Sequence, residues 1–336
     1  MSAAGAATGN KQVRFGLAGL GRIGTSHLEA MSQVQGATLA AIIEPRAAVG
    51  SAVSEQKQVP CFADYAHPEL PKLVDAVVIC TPPNLHHGIV KHFLERGIHV
   101  LCEKPLTLTS HDAEELAALA SAKGLVLMMA SKFRYVDDII KAKAIMEAGI
   151  LGRIVLFENT FCGKVMMKDR WNANKAVSGG GVLIDNGTHS VDVARYLLGP
   201  IQEIQAQNGL AAQALDVEDT VRVQFRTRAG VMGMIDLSWS INKDSDVYVN
   251  VYGSEGTLLI GWAGSRYRQD GNAKWVPFGT GYDKTVALRR QLENFVACLS
   301  GKEAPLITPQ DALASVKAIE AAYASAGKNH WQAVGV

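Results

Sequence analysis

The chain has 336 residues, 48% hydrophobic and 19% charged, with 33 Lys and Arg against 32 Asp and Glu for a formal charge of +1. That length supports two domains with real cores, and the balanced charge excludes the basic field that a nucleic-acid partner needs. No apolar run approaches the roughly 20 residues of a membrane helix, and the five cysteines, at 61, 80, 102, 162 and 298, lack C-x-x-C spacing, as expected of reduced thiols in a cytoplasmic protein.

Residues 1-10 carry neither a basic stretch nor an apolar one and read as a disordered tail rather than an export signal. Val13–Leu20 then reads as a buried strand that runs into Gly19-Leu-Gly21-Arg22-Ile23-Gly24 and a helix to about Gln35. A G-x-G-x-x-G motif between strand and helix is the dinucleotide-binding arrangement. Gly19 allows the tight turn, Gly21 lets a pyrophosphate touch backbone, and Gly24 lets helix and strand pack closely, with Arg22 and Ile23 beside the phosphates. The next strand, Thr38–Ile43, ends in Glu44, placed to accept hydrogen bonds from the adenosine ribose and so to favour NAD. Arg46, two residues on, could hold a 2′-phosphate and keeps NADP open.

Alternation of strand and helix continues. The strand Asp75–Cys80 leads into Thr81-Pro82-Pro-Asn84, a helix runs from Leu85 to Arg96, and the strand His99–Cys102 delivers Glu103-Lys104-Pro105. In an open parallel sheet, ligands bind beyond the carboxyl ends of the strands, so both turns are candidate cofactor or substrate contacts. His86, His87 and His92 read as helix-surface residues, with His87 near enough to that edge to count among the cofactor contacts. A helix at Ser110–Ala122 and a strand at Leu125–Ala130 complete a Rossmann NAD(P)-binding domain over residues 11-131.

After a helix at Val136–Ala148 the pattern becomes strand-rich: Ile154–Phe161, Ile201–Gln207, Thr220–Thr227, Val231–Ile241, Val247–Tyr252 and Thr257–Ile260. Consecutive strands without helices between them predict a large, mostly antiparallel open sheet in an α+β domain over residues 132-336. Trp239 and Trp262 are candidates to cover its free face by self-association into a homodimer or homotetramer. Helices at Thr285–Leu299 and Pro309–Ala326 are expected to pack back on the first domain.

Within this half, Ser178-Gly-Gly-Gly181 runs into an apolar stretch carrying Asp185 and His189. Four-residue spacing puts both side chains on one helix face. An imidazole oriented by a carboxylate suits general acid/base work, and the glycines let a ligand approach the helix start. The plainer reading is a glycine loop before a buried helix. Lys164, Lys168, Arg170 and Trp171 stand in a preceding loop that would overhang a polyol or an anionic sugar. Asp185, His189 and Asp192 could ligate zinc, but no second histidine or thiol stands at useful spacing, so no metal is expected.

Together, Gly19-x-Gly21-x-x-Gly24, Glu103-Lys104-Pro105 and Gly179-Gly-Gly-x-x-x-Asp185-x-Gly-x-His189-x-x-Asp192 occur in the order and spacing of the Gfo/Idh/MocA oxidoreductases, which the chain resembles from about Val13 to Trp331. The resemblance implies an NAD(P)-dependent dehydrogenase acting on a CH–OH group of a sugar, sugar derivative or cyclitol. It also implies that Lys104 and His189 form the catalytic pair and that Asp185 binds or orients substrate. Thr81, Pro82, Asn84 and Glu103 then line the nicotinamide, Arg134 joins the substrate site, and Pro105 follows a cis bond. The chain departs from the pattern at Lys132, where such enzymes commonly carry a polar amide. Alternative readings are a nucleotide-sugar 3-dehydrogenase, an NAD-dependent redox-neutral glycosidase, and a non-catalytic NAD(P)-binding sensor.

Overall fold

A computed structural model describes residues 12–272 and 274–335, so the expected tail at 1-10 lies outside the described residues. In the first half the chain forms β1 (Val13–Ala18), α1 (Arg22–Met31), β2 (Ala37–Ile43), α2 (Ala47–Lys57), β3 (Cys61–Phe62), α3 (Leu70–Leu73), β4 (Ala76–Ile79), α4 (His86–Glu95), β5 (His99–Glu103), α5 (Ser110–Lys123) and β6 (Leu127–Ala130). The second half forms α6 (Asp137–Glu147), β7 (Ile154–Cys162), α7 (Lys175–Ser178), α8 (Val182–Leu198), β8 (Ile201–Asn208), β9 (Thr220–Thr227), β10 (Met232–Ser238), β11 (Val247–Gly253), β12 (Gly256–Gly261), β13 (Ser265–Gln269), β14 (Val276–Gly279), α9 (Lys284–Leu299), α10 (Pro309–Lys328) and β15 (Gln332–Ala333).

Among the described residues, β1 to β6 form a parallel sheet in the order β3-β2-β1-β4-β5-β6. Its central strands are uninterrupted apolar runs, and β4 (Ala-Val-Val-Ile) is buried throughout, because helices cover both faces of such a sheet. Strand order reverses between β1 and β4, so the loops after these strands lie side by side at the crevice where α/β sheets bind ligands.

Nine strands form the second sheet among the described residues, in the order β14-β13-β12-β11-β7-β10-β9-β8-β15. Only the β7–β10 pairing within it is parallel. β9 alternates buried and exposed residues along its length, as a strand covered on one face must. The chain turns after Ser238 rather than continuing as strand to Ile241, because the Ser238 hydroxyl accepts from the amides of Ser240 and Ile241 at 3.0 and 3.2 Å. β13, β14 and β15 are short or polar and lack the apolar alternation that marks a strand in sequence.

The two tryptophans expected on the free sheet face point the other way. Trp239 is 3% exposed, and the Trp262 ring packs 4.5 Å from Tyr248 and 5.9 Å from Phe161, centroid to centroid. The free face instead carries ion pairs between Arg226 and Glu203 and between Arg222 and Asp236, with Leu156 and Met232 exposed beside them.

α9 and α10 lie against the first half. Phe295 meets Phe15 of β1 at 6.1 Å, Lys284 donates to Ser26 of α1 at 2.6 Å, and Glu320 accepts from the Ser110 amide at 2.8 Å. α10 starts on a capping box between Thr308 and Asp311, with Pro309 in the first turn, which fixes its start point.

Candidate active site

The loop after β1 holds Gly19 at φ +93°, a left-handed conformation in which a Cβ would stand 2.8 Å from the Cys80 carbonyl oxygen. Gly24 does not reach the ligand space; a Cβ there would strike the Gly19 carbonyl, so its role is helix–strand packing. Gly21 faces open space and begins α1 without any side-chain cap or acidic residue in the first turn. Bare backbone N–H groups at a helix start suit a phosphate. These residues fit a dinucleotide.

A cavity of about 1100 Å³ begins here and runs between the halves of the chain, past Gly19, Gly21, Arg22, Ile23, Glu44, Arg46, Thr81, Pro82, Glu103 and Lys104 to Arg170, Trp171, Asp185 and His189. That exceeds the roughly 300–1000 Å³ of an ordinary ligand cleft and leaves room for a small molecule beside a cofactor. Glu44 accepts from the Leu20 amide at 2.8 Å, from the Arg46 amide at 3.0 Å, and from the Arg46 guanidinium at 2.7 Å on both oxygens. The guanidinium contact, with the two amides, holds the Glu44 carboxyl at about 2 against the opposing pull of burial. Arg46 thus occupies the carboxylate that a ribose would need, while its own side chain is 58% exposed.

At the end of β5, Glu103 is buried. Burial alone would raise its pKa, but a 2.8 Å contact with the wholly buried His27 of α1, with Lys132 and Lys104 nearby, holds it below the usual range. His27 drew no attention in the sequence; its signal is a lone polar side chain on the face of α1 that buries Gly24, Ala30 and Met31. The Lys104–Pro105 peptide is cis. His86 is buried rather than on the helix surface, its ring nitrogens 2.8 Å from the Pro105 carbonyl and 2.9 Å from the Thr81 carbonyl, tying the two turns together.

The glycine triplet serves packing rather than ligand approach, and none of Gly179–Gly181 lines the cavity. A Cβ on Gly180 would enter the Tyr323 ring, and one on Gly181 would strike the backbone of Glu218. Glu218 caps α8 by accepting from the amides of Gly181 and Leu183 at 2.9 and 3.1 Å, with the Tyr323 hydroxyl at 2.7 Å on the same oxygen. A carboxylate at that helix end complements the macrodipole. The triplet thereby seats α8 so that Asp185 and His189 face the cavity.

Lys104 reaches across to Asp185, donating to its carbonyl at 2.8 Å and to its carboxylate, while Asn172 lies 3.5 Å from the second carboxylate oxygen. His189 is 6% exposed; burial first, then Lys132 and Lys104, hold its pKa well below the ordinary value, so the ring is a neutral base. Lys132, on the single 3-10 turn after β6, lies 3.2 Å from His189 Nε2.

Other expected residues lie elsewhere. Arg134 is 3% exposed and closed on Asp192 at 2.7 Å and Asp311 at 3.2 Å, so it knits the turn after β6 to α8 and α10 rather than meeting substrate. Asp192 is spent on this pair and on the Ser131 hydroxyl at 2.7 Å. Asn84 and His87 do not line the cavity; His87 turns to Glu115 at 2.9 Å, a carboxylate shared with Lys91. Lys164 and Lys168 face a separate shallow depression beside Gln213, while Val165, Met167, Arg170 and Trp171 face the main cavity. No helix among the described residues is long and apolar enough to cross a membrane.

Two family models match the chain: "Oxidoreductase family, NAD-binding Rossmann fold" over residues 13–131 and "GFO/IDH/MocA C-terminal domain" over residues 139–259. Myo-inositol 2-dehydrogenase of Thermotoga maritima is 30% identical, over 74% of this chain and 75% of its own length. Levoglucosan dehydrogenase of Pseudarthrobacter phenanthrenivorans is 28% identical over 56% of each chain. In several such curated relatives the match spans about half of their length, 52% and 56% in two of them. The fold is that of a levoglucosan dehydrogenase solved with NADH and levoglucosan, with a TM-score of 0.90 at 20% identity over 97% of this chain and 100% of that one.

Proposed function

This chain belongs to the GFO/IDH/MocA family of NAD-binding oxidoreductases, and we propose that it moves a hydride between nicotinamide and a hydroxyl-bearing carbon of a sugar, sugar derivative or cyclitol. The observation that carries the reading is the meeting of Lys104, Asp185 and His189 on one wall of the cavity that begins at the glycine loop. Relatives named for inositol and levoglucosan support the substrate class.

When bound, the nicotinamide takes up the hydride that leaves the carbon. The chain supplies the rest. Neutral His189 holds the hydroxyl proton at Nε2 as the O–H bond breaks, and Lys104, aimed by Asp185, donates to the same oxygen and offsets its developing charge. Arg170 and Trp171 close the substrate end, where an indole and a guanidinium suit a polyol face. Glu44 favours NAD if the ribose displaces Arg46; a 2′-phosphate would recruit Arg46 instead.

Five unpaired cysteines support a reducing compartment, the cytoplasm. The free face of the nine-stranded sheet, with Leu156 and Met232 exposed among cross-strand ion pairs, is the surface we assign to self-association.

The test is turnover of NAD, and separately NADP, against myo-inositol, common aldoses, levoglucosan and a nucleotide-linked amino sugar. Reduction of cofactor by one of them, lost in His189→Asn, supports the reading. Cofactor binding without turnover on any of them favours a sensor.

A further inference from the structure

Histidine bases normally have the second ring nitrogen tied to a carboxylate or carbonyl, which fixes the tautomer and the ring plane. His189 lacks that tie among the described residues: Nδ1 is buried without a hydrogen-bond partner there. The ring is steadied sideways by Phe133, edge to face at 5.1 Å, but this contact does not distinguish one nitrogen from the other. Among the described residues, the polar group on the imidazole is Lys132 Nζ, 3.2 Å from Nε2.

We propose that Lys132 is a positioning residue for the proton transfer: donating to Nε2 from the turn after β6, it selects the Nδ1–H form of His189 and keeps the Nε2 lone pair turned into the cavity until a substrate hydroxyl takes that place. The inference rests on the hydride-transfer reading for its chemistry but on geometry for its existence. Lys132 lines the cavity at the carboxyl end of β6, next to the end of β5 that supplies Glu103 and Lys104. Its ammonium leans on the Phe133 ring at 5.1 Å. The charged groups that act on it are Glu103 and Lys104 from the end of β5, Asp185 from α8 and Lys284 from α9. Burial pushes it down to about 8, with Glu103 and Asp185 opposing and Lys104 and Lys284 assisting. An ammonium in that range is present at neutral pH and surrendered in mild alkali. Lys104 does not duplicate this role, because two of its three N–H donors go to Asp185 and the third is the one assigned to the substrate oxygen.

The division of labour is then explicit. Lys104 meets the substrate oxygen, and Lys132 prepares the base that takes the proton. A neutral amide at position 132 could donate to Nε2 as well, but it would not oppose protonation of the ring by charge. The lysine therefore extends the neutral, base-competent form of His189 to lower pH.

The experiment is NMR of histidine labelled with ¹⁵N and ¹³C in the full chain, comparing the native protein with Lys132→Met, Lys132→Gln and Lys132→Arg, and with His189→Asn to assign the signal. The proposal expects the Nδ1–H tautomer in the native protein and in Lys132→Arg. Lys132→Met should lose that tautomer preference and titrate at higher pH, with the acid limb of kcat/KM moving the same way. Lys132→Gln should keep the tautomer but titrate as the Met variant does, and it serves as the charge test if Lys132→Met fails to fold. The same tautomer and the same titration in native, Met and Gln proteins would overturn the proposal. The NMR readout needs no turnover, so an inactive native protein would count against the hydride-transfer reading without deciding the role of Lys132.

Discussion

Lys104 and Asp185 stand on opposite sides of the domain junction, and the lysine binds both the carbonyl and the carboxylate of the aspartate. One element of the Rossmann half and one of the sheet-rich half thereby share a polar clamp at the mouth of the cavity. Lys104→Met removes the donor to the substrate oxygen and leaves Asp185 unclamped. Turnover should fall by about 10²-fold or more, with NADH affinity, measured by fluorescence titration, little changed.

Arg46 is the residue we assign to cofactor choice. Because its guanidinium fills both oxygens of Glu44, Arg46→Ala frees the carboxylate for a ribose and removes the cation that would meet a 2′-phosphate. The ratio of kcat/KM for NAD to that for NADP should rise about tenfold, the effect of roughly 1.4 kcal/mol. An unchanged ratio would mean that this pair does not choose the cofactor.

The same pair predicts an acid response. Glu44 is held at about 2 in the folded chain, against roughly 4.3 in an unfolded one. A carboxylate depressed by folding binds fewer protons folded than unfolded, so its contribution is full above about pH 4.3 and is lost as pH falls toward the folded value. Urea midpoints followed from neutral pH downward should decline less steeply over that window in Glu44→Gln than in the native chain.

Buried His27 and Glu103 form a pair whose halves cannot be removed singly. His27→Phe leaves the buried Glu103 carboxylate without its 2.8 Å partner, and losing a hydrogen bond to a charged group costs about 1.5–3 kcal/mol. Urea unfolding should report a loss of that order, and Glu103→Gln placed in the same chain should recover part of it.

Close packing at the start of α8 gives a steric prediction. Gly180→Ala drives a methyl into the Tyr323 ring, an overpacking worth about 1–3 kcal/mol. Gly181→Ala meets the backbone of Glu218 instead and should cost more than Gly180→Ala in the same unfolding assay, because backbone cannot rotate away as a side chain can.

What the sequence made legible was local. The strand, glycine turn and helix around Gly19 are contiguous, and the spacing of Asp185 and His189 is a property of one helix. The Glu103-Lys104-Pro105 turn is marked by its place after an apolar strand. Partners that fold brings from afar were not legible. His27 stands 76 residues from Glu103, and the Tyr323 ring that requires Gly180 comes from α10. Arg134 looked like a ligand contact because a motif placed it at a strand end, yet Asp192 and Asp311 absorb it. Lys132 was visible only as a departure from a pattern; its place 3.2 Å from His189 is a contact over 57 residues that only the folded chain makes. Strands β13 to β15 escaped notice because short polar segments are held by neighbours rather than by their own periodicity.

The central claim is a hydride leaving a polyol carbon beside His189, and carbon-bound deuterium follows it directly. Polyols and sugars deuterated at the reacting carbon would be turned over with NAD and the cofactor examined by mass spectrometry. The account predicts that the label appears in the reduced nicotinamide at a rate slowed by deuterium, and that His189→Asn abolishes the transfer. Label that never reaches the cofactor, or transfer undiminished in His189→Asn, would contradict it.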